Sequence, residues 1–150
     1  MAILRRVVRG AAFFVALIVG CAAAVGCGDE KRLPTAPEGP GSETATFTRV
    51  QAEVFTPTCG VTGCHLGPAS QAQEGMVLSG NAYDIIVGVP SNQNPSISRV
   101  TPGSPANSYL WRKITPGQPI VGERMPQTGS ISDAQRQLIT DWILRGAPRD

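Results

Sequence analysis

The chain has a single histidine, His65, among its 150 residues. One imidazole excludes a Ser/His/Asp relay with a histidine to spare, and it excludes a metal centre built from several imidazoles. Aromatic residues are scarce as well: two Trp, two Tyr and four Phe. A domain this poor in large rings has little with which to fill a core of its own. Clustered positive charge is missing too. The whole chain is formally +2, but from Gly28 onward ten Lys or Arg stand against eleven Asp or Glu, a net charge of −1. Nucleic-acid contact depends on grouped cations, so no nucleic-acid partner is expected. There is no phosphate-cradling glycine loop and no carboxylate pair at a telling spacing, and the chain does not read as an enzyme. Strand-like alternation is absent, which argues against a sheet of any size.

What is present begins with an export pattern. Met1 to about Arg9 is short and positive, and Gly10 to Gly26 is apolar and rich in alanine and valine. That stretch falls short of the roughly 20 apolar residues of a spanning helix and reads as a signal segment. It ends in Ile18-Val19-Gly20-Cys21 and Ala24-Val25-Gly26-Cys27. Both resemble the lipobox of bacterial lipoproteins, in which cleavage precedes the cysteine and a lipid joins its thiol. Cys21 fits the pattern slightly better. Cys27 is preferred because polarity switches on directly after it, at Gly28-Asp29-Glu30-Lys31-Arg32. A simple cleaved signal with chance cysteines is the plain alternative. The expected location is periplasmic or elsewhere in the cell envelope, with a lipid anchor in the membrane.

Residues 28–44 carry Pro34, Pro37, Pro40, Gly39 and Gly41 among charges and read as a tether between the signal (1–27) and a folded domain (45–150). The domain is expected to be all-α with long irregular loops. Its six aromatics are Phe47, Phe55, Tyr83, Tyr109, Trp111 and Trp142. A first helix is expected at Phe47, Val50, Val54 and Phe55, capped by Thr46 and stopped at Thr56-Pro57. A second runs near Asn81 to Val87, with Tyr83, Ile86 and Val87 inward. A third starts at Ser104 with Pro105 in its first position and continues through Tyr109, Leu110, Trp111 and Ile114. The last opens on a Ser132/Gln135 capping box, carries Ala134, Leu138, Ile139, Trp142 and Ile143 as one stripe, and ends at Gly146.

The chemistry lies in Cys59-Gly60-Val61-Thr62-Gly63-Cys64-His65. Two cysteines with a histidine directly after the second form the attachment pattern of c-type haem: sulfurs bond to the porphyrin edge and the imidazole reaches the iron. The common form is Cys-x-x-Cys-His, whereas four residues separate the cysteines here. The added residues must bulge outward, and Gly60 and Gly63 supply the backbone freedom. With one histidine, bis-histidine ligation within one chain is impossible. Methionine sulfur is the usual partner on the opposite face. Met76, 11 residues after His65, opens the apolar run Met76-Val77-Leu78 and reads as packing. Met125, 60 residues after His65 in Arg124-Met125-Pro126, has ample chain to round the ring edge and is the preferred ligand.

Helix, Cys…Cys-His, an irregular middle, a Met-Pro loop and a C-terminal helix together resemble a small monohaem cytochrome c domain. The similarity spans about Phe47 to Ala147 and is closest to the cytochrome c-like domains of bacterial lipoproteins, through Asn107-Ser108-Tyr109-Leu110, Arg124-Met125-Pro126, Trp142-Ile143 and Gly146-Ala147. That resemblance implies Cys59 and Cys64 as thioether sites, His65 as proximal and Met125 as distal iron ligand, one haem c, and electron transfer with redox partners that remain unnamed. It also implies that the first and last helices cross, with Phe47, Val50 and Val54 against Leu138 and Trp142. Arg99, Arg112 and Arg124 are candidates for the propionates, and for each a place on the solvated surface fits at least as well. Tyr109, Trp111 and Trp142 read as core or haem-packing groups. Other readings stay open: a haem sensor or peroxidase-like domain with an open distal site, a Cys59–Cys64 disulfide in a cofactor-free lipoprotein interaction module, or zinc held by the Cys/Cys/His trio.

Overall fold

The structure, a computed structural model, describes residues 42–150. The signal segment, both lipobox cysteines and the tether up to residue 41 lie outside the described residues. The described part is small and mostly helical with irregular loops. Its only strand-like pairings are two isolated bridges, Val87 with Val100 and Pro90 with Ser98.

Helix α1 (Phe47–Val50) starts where Thr46 accepts a hydrogen bond from the Arg49 N–H. Its first N–H groups have no partner within the helix. The chain end supplies one: the Phe47 N–H donates to Asp150 Oδ1 at 2.8 Å and the Thr48 N–H to the Asp150 carbonyl at 2.9 Å. The expected stop at Thr56-Pro57 does not occur. The helix widens to π geometry over Gln51–Cys59, with Pro57 inside it. In an α-helix proline leaves the carbonyl four residues back without a donor. In π geometry each N–H serves the carbonyl five residues back, so the missing Pro57 N–H is not the one Glu53 needs. The Glu53 carbonyl also accepts from Gln135 Nε2 at 3.0 Å, and the extra turn carries Cys59 onward.

Helix α2 is the single turn Tyr83–Ile86. Ile86 is buried, while Tyr83 and Val87 are half-buried. The expected third helix is split. Pro105–Asn107 forms a 3₁₀ turn after Ser104, Ser108 interrupts it, and α3 follows at Tyr109–Ile114. The break arises because the fully buried Ser108 hydroxyl serves the backbone instead of the helix. Its Oγ accepts from the Thr101 N–H at 2.8 Å and donates to the Ser104 carbonyl at 2.8 Å.

Helix α4 (Asp133–Leu144) has both arms of the Ser132/Gln135 capping box. It ends in a Schellman motif at Gly146 (φ +93°), where the Gly146 N–H bonds the Ile143 carbonyl and the Ala147 N–H the Trp142 carbonyl, both at 2.9 Å. Ala134 is exposed and drops out of the expected apolar stripe; Leu138, Ile139, Trp142 and Ile143 are buried. First and last helices meet through Phe47 and Trp142, whose ring centres lie 5.5 Å apart, and Tyr83 adds an edge-on contact to Phe47 at 5.2 Å. Val50, Val54, Leu138 and Trp142 share this core. No helix among the described residues is long and apolar enough to cross a membrane.

Candidate functional site

One cavity of about 240 Å³ opens beside this core. Its wall brings together Cys59, Cys64, His65, Met76 and Met125, from the end of the first helix, the turn behind it and the loop before α4. Leu78, Leu110, Ile114 and Ile139 supply apolar lining.

The Cys59–His65 segment is a closed turn. The His65 N–H reaches back to the Cys59 carbonyl at 3.1 Å, and the Cys64 N–H bonds the Val61 carbonyl at 3.0 Å. Gly63, with φ +79°, provides the left-handed corner. Gly60 serves a different purpose from the one expected. Its φ is −79°, but a Cβ there would meet Ser79 N at 2.7 Å and Ser79 Cα at 2.9 Å. It is small because the Leu78-Ser79 backbone passes over it. Gly60→Ala is expected to cost about 1–3 kcal/mol by overpacking. Gly63→Ala, with open space around it, should cost about 1 kcal/mol through backbone strain alone. Urea midpoints of the two variants check the order.

His65 is buried at 6% exposure. Its Nδ1 lies 2.9 Å from the Met76 carbonyl. A carbonyl only accepts, so Nδ1 carries the proton and Nε2 keeps a lone pair. Burial holds the imidazole below its ordinary pKa, against the upward pull of the Met76 and Gln73 backbone. The ring is thus held neutral and ready to ligate. Met76 is bound up with this side of the site: its carbonyl orients His65, and the neighbouring Leu78 N–H bonds the His65 carbonyl at 2.8 Å. Met125 comes from the other direction, half-buried against the core, its N–H donating to the Lys113 carbonyl at 2.9 Å.

Cys59 and Cys64 are free thiols. Burial, with a smaller contribution from Cys64, pushes the Cys59 thiol from 9.0 up to about 11. The folded chain therefore favours the protonated form. The stability this adds is intact below pH 9.0 and is lost as pH rises toward about 11. Alkylation of Cys59 in the bare polypeptide at pH 8 should run about a hundredfold slower than at an ordinary cysteine, since the thiolate is the nucleophile. The rate should climb as pH approaches the raised value. Peptide mass spectrometry after timed iodoacetamide exposure reads this directly.

Among the described residues no three His, Cys, Asp or Glu side chains converge on a metal-sized point. The Cys/Cys/His trio lines a cavity and does not close on an ion.

Of the three candidate arginines, only Arg99 reaches the wall. It is 9% exposed and donates to the carbonyls of Ile85 at 2.8 Å and Glu74 at 3.1 Å. Arg112 instead caps the Ala106 carbonyl, and Arg124 turns to the carbonyls of Arg112 and Thr115. Sequence reasoning missed Lys113, which is 8% exposed and on the wall. The signal was available: Lys113 falls four residues after Tyr109, on the same helix face. Among the described residues neither Arg99 nor Lys113 has an ion-pair partner. Tyr109 lines the cavity, whereas Trp111 and Trp142 do not; Trp111 Nε1 bonds Thr140 Oγ1 at 2.9 Å and Trp142 Nε1 the Pro148 carbonyl at 2.9 Å.

No family model, curated protein or solved structure matches this chain.

Proposed function

We propose that this chain is a cell-envelope electron carrier that holds one c-type haem covalently. Cys59 and Cys64 make the thioether links, and His65 and Met125 ligate the iron. The observation that carries this reading is the shared cavity. Two thiols, an imidazole with its Nε2 lone pair free and a thioether from 60 residues away line one apolar hollow.

The donor chemistry fits the group. A porphyrin is flat and apolar with two carboxylates at one edge. The wall offers aliphatic side chains and one cation, Arg99, that is in no ion pair among the described residues, with Glu74 nearby on the same wall. Burying the Arg99 charge is costly, Glu74 nearby offsets part of that cost, and an anionic ligand group would offset more. The cavity, at about 240 Å³, lies just below the roughly 300–1,000 Å³ of drug-sized sites. A porphyrin there would keep an edge in solvent or displace the loop wall.

Bound in this way, the haem iron would accept and return one electron. The protein's part is positional. The Met76 carbonyl fixes the His65 ring, the closed Cys59–His65 turn holds both sulfurs beside it, and the apolar wall keeps water away. With His65 and Met125 both supplied as ligands, a bound iron would be left no open position for a substrate, which would separate a carrier from a sensor or peroxidase. In this proposal the chain is exported and anchored by lipid at Cys27, or at Cys21.

Production in a host that matures c-type haem tests the reading. The purified protein should be red, and the colour should stay with the polypeptide through denaturation and acid–acetone extraction. A colourless chain from such a host would sink it.

A further inference from the structure

The loop that carries Met125 is held from one face of α3. Lys113 in α3 grips the same stretch of backbone with both its ends. Its carbonyl accepts the Met125 N–H at 2.9 Å, while its ammonium donates to the carbonyls of Val121 at 2.8 Å and Glu123 at 2.7 Å. Tyr109, one helical turn earlier, completes the grip: its Oη accepts the Val121 N–H at 2.8 Å, and its ring centre lies 5.8 Å from the Lys113 Nζ. Alternate positions 121, 123 and 125 are therefore fixed from one helix face. Gly122 sits between two of them at φ +68°, and a Cβ there would come within 3.8 Å of Lys113 Nζ.

A lysine needed only for solubility would be in water. This one is buried, is in no direct ion pair among the described residues although Glu74 and Glu123 lie near, and spends its donors on loop carbonyls. Such carbonyls are the loop's own orphan acceptors, because few of its backbone groups pair elsewhere. A charge-assisted donor is the strongest single way to hold them.

We propose that Lys113 is the positioning residue for Met125: it sets the distal loop so that the thioether is presented to the cavity opposite His65. This rests on the reading of Met125 as an iron ligand. Lys113 touches no reacting atom in this role and acts through the backbone of 121–125.

The test compares Lys113→Met, which keeps an apolar stem and removes the donors, with Lys113→Arg, which keeps charge and donors. Two readouts are taken on the purified holoprotein: amide hydrogen exchange across 121–125, and the methionine-to-ferric-iron charge-transfer band. Losing two charge-assisted hydrogen bonds should speed exchange there by at least about tenfold. Lys113→Met should also lose the charge-transfer band and bind carbon monoxide in the reduced state, with the yield of covalent haem unchanged. Lys113→Arg should keep more of the band than Lys113→Met. An intact band in Lys113→Met overturns the proposal, and so does unchanged exchange. Should Lys113→Met fail to accumulate, Lys113→Gln, which keeps an N–H donor but no charge, is read by the same two measurements against Lys113→Arg. Wild-type protein without haem would end the cofactor reading alone. Exchange on the haem-free chain would still decide whether Lys113 holds the loop.

Discussion

Replacing Cys59 and Cys64 together by serine is expected to abolish covalent haem, from one per chain to none, while the helical domain still folds. The two parts of that expectation have separate origins. A hydroxyl cannot replace the thiol in a thioether link, so attachment is lost outright. The fold should survive because neither cysteine belongs to the fully buried set; the large fully buried side chains are Trp142, Phe55, Ile86, Ile139 and Ile143 with the valines at 50, 54 and 100. Each substitution nearly keeps the volume but puts a hydroxyl where a thiol packed, a cost of about 1–3 kcal/mol where it is buried. Single variants separate the two sulfurs. If the four-residue spacer allows both links, each single variant should keep one. Denaturing electrophoresis stained for haem, paired with circular dichroism, gives attachment and folding from one preparation. Full covalent haem in the double variant would contradict the assignment.

Trp142→Ala is expected to cost about 3–5 kcal/mol, the range for deleting a buried aromatic. A domain of this size commonly has only about 5–15 kcal/mol in total, so the midpoint of thermal unfolding should fall by the order of 20 °C. Trp142 has 0% exposure, packs on Phe47 at 5.5 Å between ring centres, and donates Nε1–H to the Pro148 carbonyl at 2.9 Å. The Ala variant leaves a cavity and an unpaired carbonyl where α1, α4 and the chain end meet. Trp142→Phe keeps most of the ring and loses the donor, so it should cost only about 1–2 kcal/mol. Equal losses in the two variants would contradict this division between packing and hydrogen bond.

Local signals carried much of the fold into the sequence. The ends of α4 were readable because a capping box and a terminal glycine act within a few residues, and the structure has both. The Cys59–His65 turn was readable for the same reason. What was hidden depends on partners far along the chain. Pro57 reads as a stop unless it is known that the helix widens to π geometry there, with Gln135 packed onto the Glu53 carbonyl. Ser108 reads as helix until Thr101 folds back to claim its hydroxyl. Arg112 and Arg124 could not be placed from sequence because a charged side chain near the motif can turn to local carbonyls as easily as into the cavity. Lys113 was overlooked because charge usually means solvent, although its spacing from Tyr109 put it on an inward face. His65 follows from being the only histidine, and Met125 is preferred over Met76 from its loop and from the cytochrome c resemblance. His65, Met76 and Met125 all line the cavity.

The most direct measurement is the absorption spectrum of the reduced protein in alkaline pyridine, which strips the axial ligands and reports on the ring's side chains alone. Two thioether links at Cys59 and Cys64 predict the spectrum of a haem whose vinyl groups have both been saturated by sulfur. The spectrum of a haem with intact vinyl groups, or no haem spectrum at all, would contradict the account.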